Sequence, residues 1–462
     1  MRISIGLTAI IAVLIAAGVV VAGNAILQPA KSLLVSAAFA HDGITPNADG
    51  DQDITIFSYE ISENATVSLL LEDETGRQFA FRQDEQRGAG TYSVQFSGVV
   101  GGYMLPGEEI AGSVIRRLIP DGDYTWRFMV EALDDNEVME QTGTLFVRDA
   151  SAALPEMIEF TVSPQVFTPN QDGIDDRTQV NVFLTKDAEL EVYMLGENDE
   201  RLFMPRRETG RDEGEAGRQT YDYEGGVDIG ADPPPDGTYT VVARAQDLEG
   251  QVIERRAELT IINGGKPRAE IAAQVTGPTV IFEPQPYEER FFADVDTAGD
   301  LVLPPESLSI QPITMQVGDM LVFRLMVHNY GPTPIRTSGP PPGTVYQQGQ
   351  NDASLGWFER SGVWRVGLMC ETSTTDFPWR WAIGGEEDLV TETAPDGEVF
   401  HYLPPGEFSE VWGAVRLTDI LEAQNPQNCW AGLIHEDVEI SLINLRVGAR
   451  EIRLVTTEST DE

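Results

Sequence analysis

The decapeptide FTPNQDGIDD at 167–176 repeats most of an earlier one, ITPNADGDQD at 44–53. Pro169, Asn170, Asp172 and Gly173 answer Pro46, Asn47, Asp49 and Gly50 at a constant separation of 123 residues. That period far exceeds the roughly 20–50 residues of solenoid units, so it predicts a duplicated domain. A second shared turn supports the register, since PDGDYTW at 120–126 matches PDGTYTV at 235–241, now 115 residues apart. The change of offset requires extra residues between the two turns of the first copy. They fall around GVVGGYMLPGEEIAGSVIRRL at 98–118, expected to be a loop.

Between these anchors the two copies offer the same kinds of segment in the same order. Residues 41–150 carry ITIFSY, ATVSLLL, RQFAF, TYSVQF, DYTWRFMVEA and TGTLFV, and residues 155–264 carry TQVNVFL, ELEVYML, ERLFM, TYDY, GTYTVVARA and ERRAELTII. Short runs of β-branched and aromatic residues separated by turn formers are strand signals. About seven of them in some 110 residues suit an immunoglobulin-like sandwich. The expected fold is therefore all-β, with tandem immunoglobulin-like β-sandwiches. Tyr124 and Tyr239, each two residues past a PDG turn, are expected as packing or corner residues at the start of a strand.

The order TPN-x-DG, then an aromatic before glycine (YDYEGG at 221–226), then PDG-x-Y resembles the FlgD-type bacterial immunoglobulin-like domain over about 41–264. That family, named after the flagellar hook-capping protein, usually has Trp-Asp-Gly where this chain has YDYEGG and, in the first copy, QFSG. The resemblance implies a structural or interaction module of secreted surface proteins.

The acidic turns admit two readings. Asn47, Asp49, Asp51 and Asp53 alternate along the chain, so their oxygens could converge on calcium, which takes six to eight oxygen ligands. The second copy has Ile174 in place of Asp51, leaving Asn170, Asp172, Asp175 and Asp176. An EF-hand is excluded, because counting from Asn47 the sixth residue is Gln52 and the twelfth is Ser58. On the other reading Asn and Asp accept hydrogen bonds from the turn's own backbone while Gly50 and Gly173 supply positive φ.

Compartment follows from the N-terminus. Arg2 precedes ISIGLTAIIAVLIAAGVVVAG, long enough to span a bilayer as a helix, and AFA before His41 is a candidate cleavage site. Residues 1–40 are expected to be a signal peptide or an N-terminal hydrophobic helix anchoring the chain in the membrane. The bulk would lie in the cell envelope or outside the cell. A net charge of -44 excludes nucleic acid as a partner, since such binding needs lysine and arginine to displace counterions. A cell-surface protein or a glycan remains compatible.

After the linker NGGKPRAE the composition changes. Residues 269–455 hold six of the seven tryptophans and read as another β-sandwich, with 456–462 an expected disordered acidic tail. VGDMLVFRLMVHNYGPTPI with LPPGEFSEVWGAV resembles CARDB-like adhesion sandwiches and, more loosely, cupredoxins. No copper site is spelled out, because Cys429 and His435 are not followed by a methionine. Trp357, Trp379 and Trp381 either fill a core or form a platform for sugar rings. Cys370 and Cys429, an even pair in an exported chain, are expected to form a disulfide. No nucleophile elbow, phosphate loop or zinc-protease motif occurs, so the chain is expected not to be an enzyme. Three functions remain: a structural or adhesive role at the envelope, a carbohydrate-binding protein using the C-terminal tryptophans, and an accessory region of an extracellular hydrolase.

Overall fold

The computed structural model describes residues 32–456, apart from 135, 136, 209, 359, 386, 395, 396 and 441, together with Val13. The N-terminal apolar stretch and the acidic tail beyond Thr456 lie outside the described residues. Among those described, no helix is long and apolar enough to cross a membrane, and helical structure amounts to short 3-10 turns. LTDILEAQ, the one segment with helical spacing, supplies only the turn Glu422–Gln424.

The first sandwich contains β1 (Leu34–Phe39), β2 (Gly43–Ile44), β3 (Thr55–Ile61), β4 (Ala65–Asp73), β5 (Gln78–Arg87) and β6 (Gly90–Phe96). After the insertion strands β7 (Val99–Gly101) and β8 (Ser113–Leu118) come β9 (Gly122–Ala132) and β10 (Val138–Val147). The sheet β1-β3-β6 faces the sheet β2-β10-β9-β4-β5. Alternation decides which side is buried. In β3, TIFSYEI turns Phe57, Tyr59 and Ile61 inward, where Phe57 meets Trp126 and Phe128 of β9 edge-on at 5.5 and 5.1 Å. Each such buried side chain contributes about 1.5–3 kcal/mol. Strand β1 corrects the expected boundary at residue 40, because Leu33, Leu34, Ala37 and Phe39 are part of this core.

The second sandwich repeats the first strand for strand: β11 (Met157–Ser163), β12 (Val166–Phe167), β13 (Thr178–Leu184), β14 (Glu189–Leu195), β15 (Arg201–Phe203), β16 (Gly217–Tyr223), β17 (Gly237–Gln246) and β18 (Val252–Ile261). Its sheet β11-β13-β16 mirrors β1-β3-β6, and β12 runs parallel to β18 as β2 does to β10. Both copies close the same corner, where the hydroxyls of Tyr124 and Tyr239 each donate to a carbonyl four residues upstream, Pro120 and Pro235, at 2.6 Å.

The insertion at 98–118 is not a loop. Strand β8 leaves the first sandwich and pairs antiparallel with β18 of the second, setting Arg116 opposite Val252 and Val114 opposite Ile253. Gln251, fully buried, accepts from Leu118 N and donates to the carbonyls of Ser151 and Ala153. Lys186 bonds Ala153 O, Asp247 and Glu249 nearby. The linker between the sandwiches is thus held from both sides.

The C-terminal domain has a five-stranded and a nine-stranded sheet. The strands are β19 (Ala269–Ala272), β20 (Ile281–Gln285), β21 (Ile313–Gln316), β22 (Met320–Asn329), β23 (Ile335–Thr337), β24 (Val345–Gln347), β25 (Trp364–Cys370), β26 (Trp379–Ala382), β27 (Val390–Thr393), β28 (Val399–Leu403), β29 (Phe408–Arg416), β30 (Gln427–His435), β31 (Glu439–Ile440) and β32 (Val447–Val455). The order β19-β22-β29-β24, with β20 also on β22, faces β21-β32-β30-β25-β23-β28-β27, with β26 on β25 and β31 on β30. Phe323, Tyr346, Trp364, Trp379 and Trp381 fill the space between. Cys370 and Cys429, directly opposite on β25 and β30, are joined by a disulfide with alpha carbons 4.0 Å apart.

Candidate functional site

Both acidic turns are built around their last carboxylate. Asp53 Oδ1 accepts from the backbone N–H of Asn47 and Ala48 at 3.0 and 2.8 Å, and Oδ2 from Gly50 at 2.7 Å. Asn47 and Asp49 accept from the N–H two residues on. The second turn repeats this. Asp176 accepts from Asn170, Asp172 and Gly173, and Asn170 and Asp172 accept from Asp172 and Ile174. Oxygens that were to converge on calcium face the turn's own N–H groups instead, with Asp51 and Asp175 exposed at the rim. No group of three or more His, Cys, Asp or Glu able to hold a metal ion occurs among the described residues. Of the candidate calcium ligands, Asn47, Asp49, Asp53, Asn170, Asp172 and Asp176 thus accept from the turn's own backbone, while Asp51 and Asp175 stand exposed. The repeated spelling encodes a backbone shape.

What surrounds the two turns differs. The first is open to solvent, while Asn170 and Asp172 are buried against the C-terminal domain. Asp172 Oδ2 accepts from the Tyr402 hydroxyl at 3.1 Å, and His435 Nε2 donates to Gln171 O at 2.7 Å. A carbonyl can only accept, so Nε2 carries the proton. Two glycines permit this approach. A Cβ on Gly173 would sit 2.1 Å from Ser361 O, and one on Gly362 would sit 2.1 Å from the Asp172 carbonyl carbon. Arg336 donates to Ser361 O alongside. Burial pushes the Asp176 carboxyl up to about 6, with the like charge of Asp172 adding to it, and burial raises Asp172 as well. At Asp53 slight burial raises the pKa, but the N–H donors of Gly50, Asn47, Ala48 and Asp49 outweigh it and hold the carboxyl below its usual range. Burial lowers His435 to about 4, leaving it neutral at physiological pH.

The tryptophans separate in the same way. Trp379 and Trp381 both face the core because alternation along β26 puts them on one side, with Arg380 on the other side paired to the buried Glu436. Trp381 is fully enclosed, donates its indole N–H to Thr344 O at 3.0 Å and meets Phe323 and Tyr346 edge-on. Neither ring has a free face for a ligand, which corrects their place in the expected platform. Trp357 is different, being 38% exposed beside Phe358 at 69%.

Local structure explains the position of Trp357. The turn Asp352–Leu355 is closed by a capping box between Asn351 and Ser354, and Gly356 in the left-handed region at φ 80° sends the next two residues outward. Arg365, fully buried, holds this segment from beneath. Its Nη1 pairs with Asp352 at 2.7 Å and Glu436 at 3.4 Å, its Nη2 donates to Phe358 O and its Nε to Ser338 O. Trp357 forms the ridge between a cleft of about 840 Å³ and a smaller one of about 320 Å³. Phe358, Arg360, Glu398 and His401 share the larger cleft with it, and Arg360 pairs with Glu398. Small-molecule sites span about 300–1,000 Å³. The sequence reading missed Phe358, Arg360, Glu398 and His401. A usable signal was LGWFERSG, an aromatic pair set among turn formers rather than in a strand pattern.

No protein-family model matches the chain, and no curated protein matches it in sequence. Among solved structures, the fibronectin(III)-like modules of Clostridium thermocellum CbhA are similar at 8% identity, covering 49% of this chain and 93% of theirs with a TM-score of 0.19. A tetra-tandem repeat from the extending region of a large adhesion protein is similar at 11% identity, covering 90% of this chain and 73% of its own, TM-score 0.16. A structure from a 1.5-MDa bacterial ice-binding adhesin matches at 11% identity over 84% of this chain and 99% of its own, TM-score 0.18. The strand order described above makes the first two domains of this chain tandem immunoglobulin-like sandwiches.

Proposed function

We propose that the chain is an exported cell-envelope protein with a structural or adhesive role, in which two FlgD-type immunoglobulin-like modules form a stiff stalk presenting the C-terminal domain away from the cell. The single observation that carries this reading is the strand exchange at the first boundary. Strand β8 of one sandwich extends the sheet of the next. With the linker also pinned by Gln251 and Lys186, and the second acidic turn seated on the C-terminal domain, relative motion costs several hydrogen bonds at each joint. A non-catalytic spacer with a binding head needs that stiffness, whereas linkers that only tether are flexible.

The apolar stretch ahead of Leu33 would carry the chain out of the cytoplasm. Cleavage after Ala40 would remove β1 and its Leu34, Ala37 and Phe39 from the core, so processing compatible with a whole sandwich falls before Leu33 or does not occur. The test is fractionation of the source cells with protease shaving, followed by adhesion of the cells with and without the protein. Recovery in the envelope, an intact Leu34–Phe39 segment and reduced adhesion on deletion are expected. Recovery in the cytoplasm, or unchanged adhesion and envelope integrity on deletion, would refute the reading.

A further inference from the structure

The geometry points to the Trp357 cleft as a binding site for a neutral glycan chain, a proposal that rests on the adhesive reading above and names the partner of its C-terminal head. Four observations converge on it. First, the domain buries its other tryptophans wholly or largely, yet presents Trp357 and Phe358 side by side to solvent. Exposing two adjacent large rings opposes the hydrophobic effect, and such patches mark interaction surfaces. Secondly, the exposure is built in. The capped turn before Gly356 and the buried Arg365 fix the backbone of both residues, so their rings are held ready rather than left on a loose loop.

Thirdly, the polar groups suit hydroxyls. Arg360 and Glu398 form an ion pair at the cleft and His401 lies within bonding distance of Thr391, at 3.4 Å. These are planar donors and acceptors; in the larger cleft the paired charges leave no net charge for an ionic ligand, and the smaller cleft adds the carboxylates of Asp294, Asp296 and Asp300, which accept from hydroxyls and repel an anion. Sugar rings carry apolar C–H faces and hydroxyl edges, which is the complement of aromatic rings flanked by such groups. Fourthly, the net charge of -44 repels anionic chains, which selects uncharged glycans over acidic ones. Because Trp357 separates two clefts that share it along with Val295, Leu355 and Pro341, a chain of several sugars can cross the ridge with rings on either side.

The test uses the full chain and soluble hexasaccharides of glucose, mannose, galactose and N-acetylglucosamine, with hexagalacturonate as the charged comparator and a basic apolar peptide as the protein-like one. Binding is followed by calorimetry and by tryptophan fluorescence. We expect at least one neutral hexasaccharide to bind saturably, hexagalacturonate not to bind, and Trp357→Ala to weaken binding about tenfold or more without changing the melting temperature of the C-terminal domain. Phe358→Ala should weaken it less, and Phe203→Ala, an exposed ring on the second sandwich, should leave it unchanged. Should Trp357→Ala unfold the domain, Trp357→Phe serves instead, with a smaller loss expected. The proposal fails if no neutral hexasaccharide binds, if binding survives both cleft substitutions, or if only the peptide binds. The two readings fail separately: wild-type-like cell adhesion by Trp357→Ala overturns the glycan site alone, whereas adhesion unaffected by loss of the whole protein overturns the adhesive role.

Discussion

Replacing Arg365 by methionine should unfold the C-terminal domain far more easily while leaving both immunoglobulin-like sandwiches untouched. The guanidinium is fully buried and makes four interactions, with Asp352, Glu436, Ser338 O and Phe358 O. Methionine fills much of the same space, so the dominant loss is electrostatic. Glu436 keeps a second cation, Arg380, at 2.7 Å, but Asp352 is buried and is left with its carboxylate facing the gap. Removing one partner of a buried ion pair costs about 3–5 kcal/mol, because the remaining charge is stranded away from water. For a domain of this size that corresponds to a fall of roughly 6–20 °C in melting temperature. A multi-domain chain does not melt in one step, so a local probe is needed. Tryptophan fluorescence serves, since six of the seven tryptophans lie in this domain. Arg365→Met with Asp352→Leu should regain a large part of the loss by removing the stranded charge. A shift under about 2 °C in the single variant, or a double variant no better than the single, would show that the network does not hold the Trp357 segment as argued.

Three further outcomes are expected. Gly50→Ala, with nothing within 4 Å of the added carbon, should cost only the left-handed strain of about 1–2 kcal/mol, while Gly173→Ala should cost clearly more and loosen the joint to the C-terminal domain; equal effects by calorimetry and small-angle scattering would contradict the close approach. Titration of that joint opposes two carboxyls raised by burial, Asp176 and Asp172, to the imidazole of His435. The raised Asp176 pKa means the fold gains stability as pH falls from above about 6, whereas the lowered His435 pKa means stability is lost as pH falls from its unfolded value near 6.5 towards about 4. On acidification across that window the melting temperature should therefore fall more in Asp176→Asn than in the wild type and less in His435→Gln, and parallel profiles for all three would refute the assignment. Finally, the melting temperatures of both sandwiches should be the same in calcium and in chelator, since the turn oxygens are committed to backbone N–H groups; a calcium-dependent rise lost in Asp49→Ala would restore the metal.

The duplication was legible because each turn is encoded locally. Asn and Asp at fixed offsets, with glycine where φ is positive, specify the same hydrogen bonds wherever they occur. The strands were legible for a similar reason, as period-two alternation survives without knowledge of partners. Longer-range pairing was not. VVG and SVIRRL carry too few residues to announce a hairpin, and the partner of the second lies more than 130 residues further on, in another domain. Tryptophan orientation failed on different grounds. WRW correctly implies two rings on one face, but whether that face is core or surface depends on the sheet packed against it, here the one bearing Phe323. Trp357 looked no different from its neighbours in composition, and only the left-handed Gly356 and the carbonyl held by Arg365 distinguish it.

The two acidic turns show how one backbone device can serve two settings with few changes. In the first, Asp49 and Asp51 are exposed and Asp53 is half-buried at an open surface, where three carboxylates cost little because solvent screens them. Moving that set into an interface would strand all three. The second copy carries Ile174 at the position of Asp51, half-buried beside Arg336 and Phe400 in the joint, and its third carboxylate moves one residue on to Asp175, which stands exposed where the first copy has Gln52. The two carboxylates that remain buried are compensated in part, Asp172 by the Tyr402 hydroxyl and both by the turn's own N–H groups. Burial outweighs that compensation and leaves both pKa values raised. Both carboxylates are tied into the turn, Asp176 as its hub and Asp172 as the acceptor for the Ile174 N–H. The joint therefore tolerates a residual electrostatic cost in order to use a rigid turn as its contact surface, and the left-handed Gly173 and Gly362, facing one another across it, are what let two backbones meet closely enough for that surface to hold.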